Sequence, residues 1–352
     1  MADNQREFVV RRERLALRAH LGDSQPAADV DLGNFVAVRA GNTLWVSATA
    51  LAAGEARTSA LAAALAWHAR GTRDANAAGS DADAVRHDVT SITIVDAHTP
   101  GLTARRAMNF SVPITVLDAR TENNGAIHSG GVGAKGAVAT PHARGPELAA
   151  KPEHLALAST FRDVGADVVV EHGVVVAEVM GLEVARVIDE EGVPTIRIGV
   201  GAHDREMFKM VNGTTTSEQL RGVVRTVMQH RRDDAPTHPL NLLAPERALR
   251  ARVLRNPGII GVRTLSAAQP PVPRENVKDS VPCCAVGEDE HGPVVTVFVA
   301  GIDLDAVPFA ADARSHLAPD ARLLIVTASR NIVPVQLRIA SMLKQPAEFL
   351  AG

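Results

Sequence analysis

The stretch CCAVGEDEHGPVVTVFVAG (283–301), followed by DLDAVPFAADARSHL (303–317), RLLIVT (322–327) and VPVQLRIASML (333–343), decides the fold. Two apolar runs around a polar turn at Glu288 to Gly292 predict a hairpin. The alanine-rich segment predicts a helix, RLLIVT a strand, and VPVQLRIASML a second helix that stops before Pro346. A last short apolar segment completes the order β-β-α-β-α-β. The N-terminal part reads the same way: NFVAVRA (34–40) and TLWVS (43–47) flank Gly41-Asn42, and EARTSALAAALAWHAR (55–70) is a helix stopped by Gly71. SITIVD (91–96) is a strand, LTARRAMNF (102–110) a short helix and ITVLD (114–118) a further strand, with a small, polar loop over 72–88. Even the second helices match in outline, since LTARRAMNFSVP and PVQLRIASMLKQP each carry arginine within and proline just beyond.

Between the two copies lies TENNGAIHSGGVGAKGAVATPHARGPE (121–147), Gly-rich, without apolar periodicity and without a GK[ST] ending, which reads as a linker rather than a phosphate loop. From Pro152 the order is helix (153–165), strand (167–173), long strand (174–189), turn (190–194), strand (195–201) and helix (217–232). The expected fold is therefore α/β: two β-β-α-β-α-β units, an internal duplication in outline, bracketing a central α+β three-strand meander. The corresponding divisions are 1–120, a linker over 121–150, a central segment over 151–265 and a C-terminal unit over 266–352.

Composition narrows the function. Apolar residues are 46% and charged residues 22% of 352, a globular rather than a disordered balance. Lys+Arg 37 against Asp+Glu 40 leaves a net charge of −3, so no global positive field draws in nucleic acid or an anionic membrane. The only cysteines, Cys283 and Cys284, are adjacent, which excludes an intrachain disulfide framework and a CxxC zinc site and fits a reducing, cytoplasmic setting. No run of 18 apolar residues occurs and the N-terminus is charged from Asp3 onward, so neither membrane spanning nor secretion is expected. Aromatics are 3% with no tyrosine, which leaves few faces for stacking unpaired bases.

Chemistry-bearing residues concentrate in the centre. Glu178 and Glu183 fall on opposite faces of a regular strand unless a bulge intervenes, with Gly181 between them the natural place for one; Glu183 and Arg186 also fall on opposite faces, so an ion pair between them is not implied. TIRIGVGAHDREMF (195–208) runs from a strand through Gly199 and Gly201 into His203, Asp204, Arg205 and Glu206, which supply acid, base and cation beside backbone that can approach a ligand. The bland alternative is a solvent turn in which Asp204 caps a helix. Residues 221–255 hold eight arginines against three acids, with Arg221, Arg225 and Arg232 on a face of their helix away from the apolar stripe Leu220, Val223, Val224 and Val227. Arginine forks suit phosphate or carboxylate. The stiff connection DDAPTHPLN (233–241) brings His238 and Asn241 beside them; His230 and His238 form only a weak metal pattern. Asp303 and Asp305 follow a strand end, where Asp305 reads most simply as a helix N-cap.

The helix, meander, helix and strand of residues 152–232 resemble the core of the PD-(D/E)XK nuclease-like superfamily. That resemblance implies that Glu178 or Glu183 takes the place of the first metal-binding acid. The family also expects an acid and a lysine two apart on the third strand, where this chain reads Thr195, Ile196, Arg197, Ile198, Gly199, so the ExK motif is absent.

Together these features predict one site within 171–255 for a phosphate-bearing substrate, nucleic acid being one such substrate. Glu183 and Asp204 serve as metal or acid/base groups, His203 or His238 as the proton carrier, and Arg186, Arg205, Arg232 and Arg247 as the anion clamp, with Gly199, Gly201 and Asn241 lining it. A divalent metal is implied if phosphodiester hydrolysis is the chemistry. The competing expectation is a non-catalytic interaction or ligand-binding protein whose arginine helices dock an acidic partner. Apolar repeat units further suggest a homo-oligomer.

Overall fold

The computed structural model describes residues 2–21, 27–48, 58–71, 88–119, 137–143, 148–213, 215–232, 235–236, 238–273 and 281–352. Residues 72–87 of the loop expected over 72–88, the helix start at 55–57 and most of the 121–150 linker lie outside them. The chain divides into two units: Met1–Ala143 with Asp303–Asp312 and Val333–Ala347, and Arg144–Ile302 with Ala313–Ile332 and Glu348–Gly352.

The first unit is built on one mixed sheet in chain order: β1 (Ala27–Leu32), β2 (Phe35–Ala40), β3 (Thr43–Ala48), β4 (Ser91–Asp96), β5 (Ile114–Asp118) and β6 (Ala137–Val138). The first three strands are antiparallel, joined by two-residue turns; β3, β4 and β5 are parallel, which requires crossovers, and these carry α2 (Ala60–Gly71) and α3 (Pro100–Ala107). Asp96, buried at the end of β4, accepts hydrogen bonds from His98 N (2.7 Å), Thr99 N (3.0 Å) and Thr103 Oγ1 (2.6 Å), which fixes the turn into α3. The charged N-terminal segment folds as α1 (Ala2–Leu21), whose Leu17 packs with Val36, Val38 and Val95 on the sheet. Within the expected linker, Ala137–Val138 pairs antiparallel with β5 as an edge strand.

The second unit contains a matching sheet: β11 (Thr264–Ala268), β12 (Cys283–Asp289), β13 (Gly292–Phe298), β14 (Arg322–Thr327) and β15 (Ala347–Ala351). Again the first three are antiparallel and β13–β14 parallel, with α9 (Ala306–Leu317) and α10 (Pro334–Ser341) in the connections. A helix precedes each set: α8 (Pro245–Arg255) lays Val253 on Cys283, Ala285 and Phe298 as α1 lays Leu17 on its own sheet. The two sets therefore share the longer order α-β-β-β-α-β-α-β.

Where these sets touch within the first unit, corresponding residues pair. Phe110, just past α3, bridges Leu343, just past α10, and Ser111 N donates to Met342 O (2.8 Å) while Lys344 N donates to Asn109 O (2.9 Å). When Pro113 is aligned with Pro346, Phe110 faces its own counterpart Leu343, and the counterparts Ser111 and Lys344 each bond the residue two before the other. At the start of α2, Ser59 N donates to Asp305 Oδ2 (2.7 Å) at the start of α9. Asp305 thus joins two helix N-termini rather than facing a ligand.

The central segment is a four-stranded antiparallel sheet, β7 (Asp167–Glu171), β8 (Val174–Val179), β9 (Leu182–Glu190) and β10 (Val193–Ile198), not the expected three-strand meander. Its hairpins turn at His172-Gly173, Met180-Gly181 and Glu191-Gly192, every one with both residues at positive φ between 48° and 82°. The long strand expected over 174–189 is broken at the second of these. Methionine is a poor residue for positive φ, so nothing local announces the turn. A distant residue holds it: Arg231 donates to Met180 O through Nε (3.2 Å) and Nη2 (3.1 Å). The helix expected over 153–165 is two short ones, α4 (Pro152–Ala156) and α5 (Ala158–Asp163). α6 (Ala202–Asn212) and α7 (Ser217–Arg231) follow β10; α7 starts in a capping box in which Gln219 N donates to Thr216 Oγ1 (3.2 Å) and Thr216 N to Gln219 Oε1 (2.9 Å). Leu220, Val224, Val227 and Arg231 form its buried stripe.

Gly181 has φ +77° and a Cβ there would run into the Arg247 carbonyl, whereas Gly192, at φ +82°, faces open space. Gly192→Ala therefore costs about 1 kcal/mol of backbone strain and Gly181→Ala at least about 2 kcal/mol more, read by urea denaturation. Equal losses would show that the close approach to α8 does not matter.

Candidate functional site

The register of β8 against β9 slips by one residue: Ala177 pairs with Ala185 but Glu178 with Glu183, so Val184 is an extra residue on β9. The bulge reverses the alternation beyond it and puts Glu183 and Arg186 on the same face. They form a bidentate ion pair, Arg186 Nε to Glu183 Oε1 (2.6 Å) and Nη2 to Oε2 (2.9 Å). The expectation of no such pair fails for this reason, with the bulge at Val184 instead of Gly181.

β10 adds the next charge. Arg197 stands directly opposite Arg186, and its buried guanidinium pairs with Glu190, which also meets Lys209 Nζ at 3.4 Å. α6 crosses β10 and brings Arg205, whose Nη1 donates to Glu183 Oε1 at 3.0 Å. Burial, then the Arg186 charge, pull Arg205 below the usual arginine range against the opposing effect of Glu183. Gly199, at φ +145°, donates its N–H to the carbonyl of the bulged Val184 (2.8 Å), and a Cβ there would strike Arg205 N in the first turn of α6. Gly201, φ +89°, precedes the helix, and Asp204 Oδ2 accepts from Val200 N (2.7 Å), so this carboxylate clasps the helix start. Glu183, Arg186, Gly199, Gly201, Asp204 and Arg205 are thus brought together; His203 lies beside them with its side chain exposed.

Four cations, Arg186, Arg197, Arg205 and Lys209, meet two carboxylates, Glu183 and Glu190, on this face. Asp204 and Glu206 both act on Arg205 and balance the count, so the positive excess lies in the ion pairs and not in the total charge. Arg197 is nine-tenths buried, yet its Nε has no acceptor among the described residues. Reading the sequence missed Arg197, Glu190 and Lys209 as site residues, although counting back from the Glu191-Gly192 turn would have set Arg197 opposite Arg186.

The remaining expected site residues lie elsewhere. Arg247 belongs to a buried quartet with Arg250, Glu171 and Glu178: Arg250 Nη1 donates to Glu171 Oε1 (2.7 Å), Arg250 Nη2 to Glu178 Oε2 (3.2 Å), and Arg247 pairs with both acids. Burial favours the neutral acid at Glu171, but Arg250 and Arg247 outweigh it and hold its pKa below the ordinary carboxylate range. Nearby Cys283 is fully enclosed, and burial pushes its thiol up to about 12 despite the two arginines, so it is no nucleophile at neutral pH. Arg232 caps the C-terminal end of α7 and is exposed, as is Asn241 in a short 3-10 turn. His238 stacks on His230 with ring centroids 3.8 Å apart, and its Nδ1 accepts from Leu240 N (3.3 Å). Among the described residues no group of three or more His, Cys, Asp or Glu is arranged to hold a metal ion, and no helix is long and apolar enough to cross a membrane. The chain matches no family model, no curated protein and no solved structure.

Removing one member of the buried quartet leaves charge without a partner. Arg250→Met is expected to cost about 3–5 kcal/mol in urea denaturation. Because Glu171 has a lowered folded-state pKa, its contribution is complete above the unfolded value of about 4.3 and is lost as pH falls from there through the lower folded value. A Glu171→Gln variant should lose less stability than the parent between about pH 5 and pH 3; a parallel decline would place the acid-labile group elsewhere.

Proposed function

We propose that this protein binds a phosphate-bearing ligand on the β9–β10–α6 face, with Arg186 and Arg205 as the clamp and Arg197 behind them. One observation carries the reading: Arg186 and Arg197 are directly opposite on neighbouring strands, and the Arg197 Nε has no acceptor among the described residues. Like charges in that position repel, and an anion between them removes the repulsion. Phosphate offers several acceptor oxygens to arginine forks that carboxylates have only partly filled.

Binding fits the donor set better than metal-dependent hydrolysis. Both Glu183 oxygens already accept from guanidinium groups, and Asp204 serves the helix start, so a divalent cation would have to displace Arg186 or Arg205. The proton carriers expected at this site do not converge on it: His203 is exposed and His238 lies with His230 at the end of α7.

Isothermal titration with inorganic phosphate, pyrophosphate, a nucleoside monophosphate and a short oligonucleotide tests this at low and moderate salt. Arg186→Gln and Arg205→Gln should each weaken binding by about tenfold to a hundredfold, the worth of a hydrogen bond to a charged group. Glu183→Gln has the opposite sign: it removes a competing carboxylate and should tighten anion binding. Magnesium-dependent turnover that disappears in Glu183→Gln would replace this reading with the hydrolase one.

A further inference from the structure

The first unit carries two cavities on either side of the β1–β2 turn, Asp31 to Phe35. One, about 470 Å³, runs along α1, and its arginine is already paired, Arg14 with Asp29 at 3.6 Å. The other, about 400 Å³, runs along α2, where Ala63, Ala66, Trp67 and Arg70 recur at helical spacing and turn one face of the helix into its wall. Leu32, Phe35 and Leu304 close the apolar part. Its two charged residues, Asp31 and Arg70, have no ion-pair partner among the described residues; Asp31 Oδ1 only accepts from Gly33 N at 2.9 Å.

We infer that this second cavity binds a small zwitterion with an apolar body, of the α-amino acid class. Its volume is in the range of small-ligand pockets. The chain has just two tryptophans, and one of them, together with a phenylalanine, is spent on this wall, which suits an apolar or aromatic side chain. Arg70 at the last turn of α2 receives the carboxylate, and Asp31 on the turn receives the ammonium group. Asp31 also lines the neighbouring cavity, which differs in its arginine: Arg14 shares Asp29 with Arg18, whereas Arg70 has no ion-pair partner among the described residues. The site is independent of the anion face on β9 and β10.

Trp67 is the reporter. In a Trp45→Phe background it is the one tryptophan left, and titration with L-leucine, L-methionine and L-phenylalanine should change its emission saturably. Arg70→Gln and Asp31→Asn should each weaken that response by about tenfold or more while leaving the thermal midpoint unchanged. In the parent, 3-phenylpropionate and phenethylamine, each lacking one charge, should bind more weakly than phenylalanine, and Asp31→Asn should abolish the preference over phenylpropionate. No saturable change up to about 10 mM ligand, a floor weaker than ordinary specific binding, would overturn the inference. So would equal affinity in both variants.

Discussion

Two guanidinium groups and two carboxylates, buried together where α8 meets β7 and β8, are the contact on which the second unit depends. α8 packs its apolar side on the β11–β15 sheet through Val253, and its Arg247 and Arg250 reach the acids of the other sheet. One helix therefore joins two sheets, by burial on one side and by charge on the other. Desolvating four charges is tolerable because they cancel and because both arginines engage both acids. Arg250 also donates to the Cys284 carbonyl at 3.3 Å, which ties the same group to β12. Arg231 does for the β8–β9 turn what the quartet does for the sheets, since besides Met180 O it binds the carbonyls of Leu240 (2.5 Å) and Leu243 (3.0 Å).

This architecture explains what the arginine-rich stretch conceals. Within 221–255 the local excess of arginine suggests an open anion-binding face, yet Arg231, Arg247 and Arg250 are buried structural groups. Their partners are acids and carbonyls mostly tens of residues away, Glu171 and Glu178 for two of them and Met180 for the third. Local charge counting is blind to such neutralisation. What remained legible is local: the two outer β-β-α-β-α-β sets, whose hairpins, alanine-rich helices and apolar strands each announce themselves by period and turn residues. The capping box of α7 and its Leu220, Val224, Val227 stripe belong to the same class.

The misread elements share the opposite property, in that long-range contacts decide them. Met180 turns the chain because Arg231 and α8 hold that turn, and Val184 bulges while its carbonyl is taken by Gly199. From one bulge follow the Glu183–Arg186 pair and the place of Glu183 on the face of Glu190, while the Glu191-Gly192 turn aligns Arg186 with Arg197 across the next strand. A period-2 reading without the bulge places the right residues on the wrong faces. The candidate site was thus half visible, Glu183, Arg186, Asp204 and Arg205 by type, Arg197 and Lys209 only through register.

The distribution of charge among these clusters separates structure from function. In the quartet two arginines meet two acids, both acids are shared, and no site is left for a ligand. Among the described residues, the cations on the β9–β10–α6 face outnumber the acids that pair with them, two arginines stand opposed, and a buried N–H has no acceptor. Burying Arg197 with Glu190 as its acid but with its Nε unused among the described residues carries a cost that an apolar residue there would avoid. An anion bound as proposed would offset that cost. The same comparison distinguishes the two cavities of the first unit by their arginines, Arg14 paired with Asp29 and Arg70 without an ion-pair partner among the described residues. The two proposed sites thus rest on the same contrast with the quartet: cations that outnumber their paired acids, or lack one, among the described residues.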